Sequence, residues 1–342
     1  MGRSTPKSND ILRRVLLLSL FVFLFLVFLI FKNVSLSELI QRINISWFLM
    51  LFLNMFIVIL LNGVKFRLLV NSVGNDIPYI DALKIVLSSV FASNITPYYS
   101  GGIVAQIYLL KRLKNGTSSA TLISVMYTIL TIVVALIFAV ILLILPHPFL
   151  KSIRGTFIFS IIVLAFLFSS FALFLMVNPT KAKRLVSLLF KKFSLKVDLL
   201  KINLEIDAFS EGLRFIIKDK KHLINLVLVN LVSQFLHNLI GLTSLKAIGI
   251  QFDFYEALIT QIASSFVATI GIIPGGMGIT EGTYLLLFIP IALKYAPLQT
   301  FLFRMFSYYI PSILGAIVFY KTLGSFTEEV FKNSSLLRDE GH

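Results

Sequence analysis

An all-α polytopic membrane protein is the fold class that the sequence predicts, and three observations carry that prediction. Of 342 residues, 57% are hydrophobic and only 14% charged, a balance no water-soluble domain keeps. The apolar residues fall into runs of about 15–30, long enough to enter or cross a bilayer. The basic residues lie mostly between those runs, as expected of loops that face an anionic leaflet. About six full spans and two re-entrant broken-helix hairpins are expected, all within one membrane domain over residues 1–342.

Composition also excludes function classes. The net charge of +15 invites a nucleic-acid reading, but no basic, aromatic-interleaved recognition motif is present, so no nucleic-acid partner is expected. Cysteine is absent, which rules out a disulfide scaffold, an iron–sulfur cluster and a thiol nucleophile together. The histidines (His147, His222, His237 and His342) are scattered with no paired-ligand spacing, so neither a metal nor a cofactor is expected.

The polar, basic segment with Arg3, Lys7, Arg13 and Arg14 leads into the apolar run Val15–Phe31. No small-x-small cleavage site follows before Lys32, so this run reads as a first span with a cytoplasmic N-terminus. Ser35–Ser46 is an amphipathic connector, and Trp47 suits an interfacial anchor. The second helix, Trp47–Leu61, continues as far as Val70. Asn54, Val58, Leu61, Asn62 and Lys65 share one of its faces, which turns polar groups toward a bundle interior, while Lys65 and Arg67 put its end on the cytoplasmic side.

Ile85–Leu113 is interrupted by Asn94-Ile95-Thr96-Pro97-Tyr98-Tyr99-Ser100-Gly101-Gly102. Lys84 precedes it and Lys111, Arg112 and Lys114 follow, so both ends read as cytoplasmic and the segment as a re-entrant hairpin; two full spans need a locally thinned membrane. Thr121–Leu145 crosses outward and ends at Pro146-His147-Pro148, with Lys151 and Arg154 breaking the charge rule in a short outer loop. Phe157–Val177 returns, and Asn178-Pro179 stops it.

Thr180–His222 carries eleven Lys/Arg against five Asp/Glu. Lys181–Phe193, with Leu185, Leu188 and Leu189 on one face, and a stretch with Leu199, Ile202, Ile206, Phe209 and Leu213 at helical spacing are basic and amphipathic. The 181–222 linker is therefore expected on the anionic inner leaflet, with partner docking as the alternative. Leu223–Leu245 is a polar span in which Asn230, Gln234, His237 and Gly241 form one stripe, either interhelical glue or the wall of a polar path. Gly249–Ala257, with Asp253 and Glu256 and no Lys or Arg, suits an outer loop.

A second interruption, Ile273-Pro274-Gly275-Gly276-Met277-Gly278-Ile279-Thr280-Glu281-Gly282, lies between the short arms Leu258–Ile273 and Tyr284–Leu293. Proline lacks a donor and glycine adopts conformations closed to other residues, so helix breaks here, and Glu281 begins the second half. The last span, Pro297–Leu323, puts Arg304, Tyr308, Pro311, Ser312 and Gly315 on one face; the C-terminus is expected in the cytoplasm.

Sliding the chain by 175 residues pairs Gly74 with Gly249, Asp81 with Glu256, Ala82-Leu83 with Ala257-Leu258, Ser89 with Ser264 and Phe91 with Phe266. A shift one residue different pairs Gly101-Gly102 with Gly275-Gly276. This predicts a repeat, about 47–177 and 222–323. With three spans between the copies, the second enters from the opposite face, the arrangement of an inverted-repeat transporter whose site lies near the midplane. The helix starts near Gly101 and Gly278 would offer N–H groups to an anion such as phosphate. Lys65, Arg67, Lys111 and Arg112 would add positive charge at the cytoplasmic mouth. Glu281 and Arg304 are each costly alone in hydrocarbon, so they are expected to pair, to engage a cationic headgroup group or to carry a proton; Glu281 as a mere helix cap is the plain alternative.

Thr96-Pro-Tyr-Tyr-Ser-Gly-Gly-Ile-Val-Ala-Gln-Ile-Tyr-Leu-Leu-Lys-Arg and Ile273-Pro-Gly-Gly-Met-Gly-Ile-Thr-Glu-Gly resemble the two signatures of the lysylphosphatidylglycerol synthase transmembrane (flippase-like) family. The resemblance implies movement of aminoacylated, other phospholipid or polyprenyl-linked headgroups across the cell inner membrane. Many members carry a Glu after the first glycine of the early motif; Gly102 stands there in this chain, so that role does not transfer. The soluble aminoacyl-transfer domain of full synthases is not in this sequence, so synthesis by this chain alone is not expected.

The expected function is lipid translocation, with Glu281, Arg304, Gly275, Gly276, Gly278, Thr280, Thr96, Pro97, Ser100, Gly101, Gly102, Gln234 and His237 as substrate-binding candidates and no catalytic residue. The alternatives are a membrane-embedded enzyme or accessory acting on lipid-linked substrates, and a small-solute transporter. A homo-oligomer or a separate synthase is a further partner left open.

Overall fold

The computed structural model describes residues 8–96, 99–113, 116–144, 151–192, 202–203, 206–207, 210, 213–214, 218–268 and 273–322. Pro97, the Pro146-His147-Pro148 stop, Phe193, Leu199 and Phe209 lie outside the described residues.

Apolar content and helix propensity without strand patterning give a helical chain. The elements are α1 Ser8–Asn33, α2 Leu36–Arg42, α3 Ile45–Ser72, α4 Tyr79–Asn94, α5 Ser100–Arg112, α6 Thr117–Ile144, α7 Ile153–Val177 and α8 Pro179–Lys192. They are followed by α9 Lys220–Ala247, α10 Phe254–Ala268, α11 Ile279–Ala292 and α12 Ala296–Arg304, the last continuing through a π turn at Met305–Tyr309 to residue 322. Among the described residues no strand occurs. Ile45–Ser72, Ser119–Phe138, Lys220–Ala247 and Pro274–Thr322 are long and apolar enough to cross a membrane, and α1 with α2 forms a fifth candidate bent by 92°.

Local chemistry sets several ends. Asn44 accepts the Trp47 N–H at 3.3 Å, so α3 begins at Ile45, two residues before the interfacial tryptophan. Ser152 caps α7 through Gly155 N–H at 2.9 Å, and Asp219 caps α9 through His222 N–H at 3.0 Å. Pro274–Thr322 covers 49 residues, about 70 Å as one straight helix, more than twice a bilayer core. It is divided where Leu293 turns to φ +51°, three residues after Pro290, and folds into α11 and α12.

The helices α4, α5, α10 and α11 are each too short to span about 30 Å of hydrocarbon. They come as two tight hairpins. In α4/α5, Gln106 Nε2 donates to Ser89 Oγ at 3.2 Å, and Gly102 lies so close to Ser93 that a side chain would collide there. In α10/α11, Gln261 Nε2 donates to Tyr284 Oη at 2.8 Å, and Ser265 Oγ meets the same hydroxyl at 3.1 Å. Both sets of contacts are those of antiparallel neighbours.

Helix boundaries repeat. Adding 175 to Ile45–Ser72 gives Lys220–Ala247 with no remainder, Tyr79 moves to Phe254, and both Gly74 and Gly249 have positive φ. Beyond the breaks the offset becomes 179: Ser100 moves to Ile279 and Thr117 to Ala296. The second break is therefore four residues longer (179 − 175) than the first. That corrects the pairing of Gly101-Gly102 with Gly275-Gly276, because in helical register Gly102 corresponds to Glu281. The equivalent helices α3 and α9 pack antiparallel: Asn54 Nδ2 donates to Leu236 O at 2.9 Å, and His222 Nε2 lies 2.7 Å from Leu68 O.

The apolar core divides into two clusters, and both α3 and α9 contribute to each. Phe66, Leu69, Ile85, Val86, Leu109, Leu110, Ile123 and Leu130 form one, joined by Leu213 of the basic linker. Ile240, Leu245, Ile259, Ile262, Tyr284, Phe288, Phe303 and Phe306 are central to the other. Arg154, the apparent charge-rule violation, is folded inward. It donates to Glu256 Oε1 at 2.5 Å, Thr260 Oγ1 at 3.3 Å and Leu287 O at 2.5 Å, tying α7 to both arms of the second hairpin. Arg154→Ala is expected to destabilise the protein by about 1.5–3 kcal/mol, since charge-assisted bonds to half-buried partners are lost. An unchanged unfolding midpoint in detergent would show that this arginine does not tie the helices together.

Candidate functional site

The two helix breaks meet. Ile95 of the first packs with Ile273 and Met277 of the second around Val22 of α1. Tyr308 Oη donates to Asn94 O at 3.3 Å, while Asn94 Nδ2 donates to Ser312 Oγ at 2.6 Å, so the end of α4 is bound to α12. Tyr99 reaches the electrostatic neighbourhood of Thr280, Glu281 and Arg304, which brings the first break onto the start of α11.

Glu281 and Arg304 lie at this junction, only 3% and 4% exposed. Arg304 Nε is 2.6 Å from Glu281 Oε1, although its N–H is not aimed at that oxygen, so charge and proximity rather than a directed hydrogen bond join them. The other carboxylate oxygen, Oε2, accepts the Gly278 N–H at 2.7 Å and caps α11. Arg304 Nη2 donates to Gly275 O at 3.2 Å, and its guanidinium lies 3.8 Å above the Tyr308 ring. Glu281 is thus both cap and ion-pair partner. The plain and the functional alternatives for it are not exclusive.

Backbone irregularity surrounds the pair. Gly275, Gly276 and Gly278 all have positive φ, and so does Tyr99 at +54°, where an L side chain is disfavoured. The π turn of α12 starts immediately after Arg304, and such bulges are enriched at functional sites. Thr96 Oγ1 donates to Ala92 O at 2.9 Å and accepts Gly101 N–H at 2.8 Å, so Thr96 holds the shape of the first tip. Gly101 sits against Ala92 O and Thr96, an approach no larger residue could make. Ser100, which begins α5, is exposed.

A polar strip continues from the pair through Tyr284, one turn along α11 from Glu281. The Tyr284 ring stacks on Phe303 at 4.3 Å, and its hydroxyl joins Gln261 and Ser265. Gln261 fills the notch left by Gly241. His237 meets Phe303 at 6.3 Å, and Gln234 is half-buried one turn away; neither touches the ion pair. Sequence reasoning missed Tyr99, Asn94 and Gln261 as site residues. A glutamine inside an otherwise apolar run was the available signal for Gln261; nothing local marked Tyr99.

The four basic candidates expected together at one mouth separate. Arg67 lies 3.5 Å from Asp76 at the surface, Lys111 is exposed, and Arg112 donates to Thr322 O at 3.2 Å. Lys65 is not at an open mouth. It is 1% exposed and donates to Thr131 Oγ1 at 3.0 Å and Asn230 Oδ1 at 3.1 Å, with Nζ 3.8 Å from the centre of the Tyr127 ring. Its place on the inward polar face of α3, one turn beyond Asn62, explains the burial. Lys65 joins α3, α6 and α9, and no carboxylate lies within ion-pair distance among the described residues. Lys65→Met is expected to leave stability unchanged or raised. Asn230→Ala removes an acceptor from a buried donor and should cost about 2–3 kcal/mol. Chemical unfolding of both variants checks this; a Lys65→Met loss larger than that of Asn230→Ala would contradict it.

The family profile described as lysylphosphatidylglycerol synthase TM region matches residues 16–315. The chain belongs to the lysylphosphatidylglycerol synthase transmembrane family. Membership covers both breaks, the ion pair and the basic linker between the halves. Within the curated proteins, the chain is similar to the UPF0104 membrane protein PH1989 of Pyrococcus horikoshii, with 25% identity over 332 residues, 91% of this chain and 97% of that protein. That relative is described by its name only as a membrane protein. In this family member the early-motif position equivalent to Glu281 is Gly102, so the buried carboxylate stands in the second repeat and not in the first.

Proposed function

We propose that this family member is a lipid translocase, moving a phospholipid or lipid-linked headgroup across the cell membrane through a polar site at mid-depth. One observation carries the reading: a buried Glu281–Arg304 pair lies where the broken tips of two short hairpins meet. The equal, antiparallel helices α3 and α9 support an inverted repeat, with the hairpins as oppositely inserted re-entrant segments. Arms of 13–16 residues reach about 20–24 Å, a length that supports tips ending inside the hydrocarbon core rather than across it.

In this reading the headgroup enters between the tips and meets charges that the protein otherwise pairs internally, while the acyl chains remain in lipid. Such a site, in this reading, binds and releases the headgroup without altering it. The basic, amphipathic sequence of segment 181–222 supports a place for it on the inner leaflet, with both termini in the cytoplasm.

Purified protein in liposomes with acyl-labelled phospholipids tests the proposal. Leaflet redistribution faster than in protein-free liposomes, and lost in Glu281→Gln, is the expected result. Redistribution at the protein-free rate for every lipid class tried would refute it.

A further inference from the structure

The charge arrangement at the junction also restricts what can be carried, an inference that rests on the translocase reading. Glu281 and Arg304 neutralise one another in a nearly dry setting, each with fixed additional partners. A ligand that brings one charge opens this pair at a loss, because it frees the opposite protein charge without a partner. A purely anionic headgroup could take Arg304 but would strand Glu281. A purely cationic one could take Glu281 and strand Arg304. A headgroup with one ammonium and one phosphate exchanges the internal pair for two ligand pairs and leaves no charge alone.

The surrounding groups suit that exchange. The Tyr308 ring, whose face Arg304 covers at 3.8 Å, would become available to an arriving ammonium once Arg304 turns to the phosphate. Among the described residues, Arg304 Nη2 hydrogen-bonds a carbonyl, Gly275 O, and a guanidinium has five N–H donors, which suits it to a phosphate as well. The π turn beginning at Met305 supplies the movable step. Conversion of a π turn to α-helix shifts register by one residue, which would rotate Arg304 relative to Glu281.

We propose that the Glu281–Arg304 pair selects zwitterionic headgroups carrying an ammonium and a phosphodiester, as in phosphatidylethanolamine, over headgroups with either charge alone. The test uses the full chain in liposomes and acyl-labelled lipids with unaltered headgroups. The series is phosphatidylethanolamine, its N-acetyl derivative, phosphatidylglycerol and a diacyl ammonium lipid without phosphate. Phosphatidylethanolamine should redistribute at least about tenfold faster than the other three, the margin expected when a buried polar partner is missing. Free glycerophosphoethanolamine should not suppress it at equal concentration, since the bound species is the lipid.

Equal rates for all four lipids would leave translocation standing and overturn the selectivity. Faster movement of the N-acetyl or phosphate-free lipid would also overturn it. No protein-dependent movement of any lipid would remove the translocase reading itself. Full suppression by the free headgroup would show a soluble zwitterion as the ligand and overturn the lipid assignment. The lipid comparison needs only the unmodified protein, so a variant that fails to fold does not obscure the outcome.

Discussion

Glu281→Gln is expected to destabilise the protein by about 3–5 kcal/mol, because it leaves the Arg304 guanidinium buried without its counter-charge. Arg304→Met should cost a similar amount for the mirrored reason. The two losses are not additive. In the double variant no uncompensated charge is left inside, and most of the stability should return, within about 1–2 kcal/mol of the original protein. Reversible chemical unfolding in detergent, followed by tryptophan fluorescence from Trp47, measures all three. A double variant as unstable as the two losses summed would mean that packing, and not charge, is what the pair supplies. Redistribution of lipid should be lost in the double variant although it folds, which separates the pair's part in stability from its part in transport.

Gly275→Ala is expected to be the most damaging of the glycine substitutions at the second break. Two independent costs coincide there: φ is +61°, and an added Cβ would run into the ring and hydroxyl of Tyr308. Together they should cost about 3–4 kcal/mol, roughly 1 from the backbone and the rest from overpacking. Gly278 has φ of +82° but open space at its Cβ position, so Gly278→Ala should cost only about 1–2 kcal/mol. The contrast between them is the measurement. Equal unfolding midpoints for the two variants would deny that Tyr308 is pressed against Gly275.

Much of the helical pattern was legible because a bilayer demands it. Long apolar runs at α3, α6 and α9 can only be helices when no water is present to satisfy the backbone. The two breaks were equally plain, since the prolines in Thr96-Pro97 and Pro274-Gly275-Gly276 disrupt helical hydrogen bonding and glycine tolerates the turns beside them. Helix starts were less exact. Asn44 moves the start of α3 to Ile45, a capping choice that apolar content alone does not reveal.

The site was legible in kind and not in detail. Two costly charges in apolar surroundings suggested that Glu281 and Arg304 would meet, 23 residues apart and on different helices (304 − 281). Lys65 shows the opposite outcome. By charge pattern it belonged at a surface, but its helical face turned it into the interior against Thr131, Asn230 and Tyr127. The register of the repeat was also altered by structure. Four additional residues in the second break bring Gly102 into correspondence with Glu281 and not with Gly276.

By itself the sequence determined a helical membrane protein, the two places where its helices break, the 175-residue repeat and the two charges, Glu281 and Arg304, that would need each other in an apolar setting. These follow from hydrophobicity and from backbone restrictions that act within a few residues. Only the tertiary structure decided that the two breaks touch, that Tyr99 and Tyr308 lie beside the ion pair and that Lys65 is enclosed by Thr131, Asn230 and Tyr127. Those depend on how antiparallel helices pack at long range, where helical rotation and the length of a break choose which side chains meet.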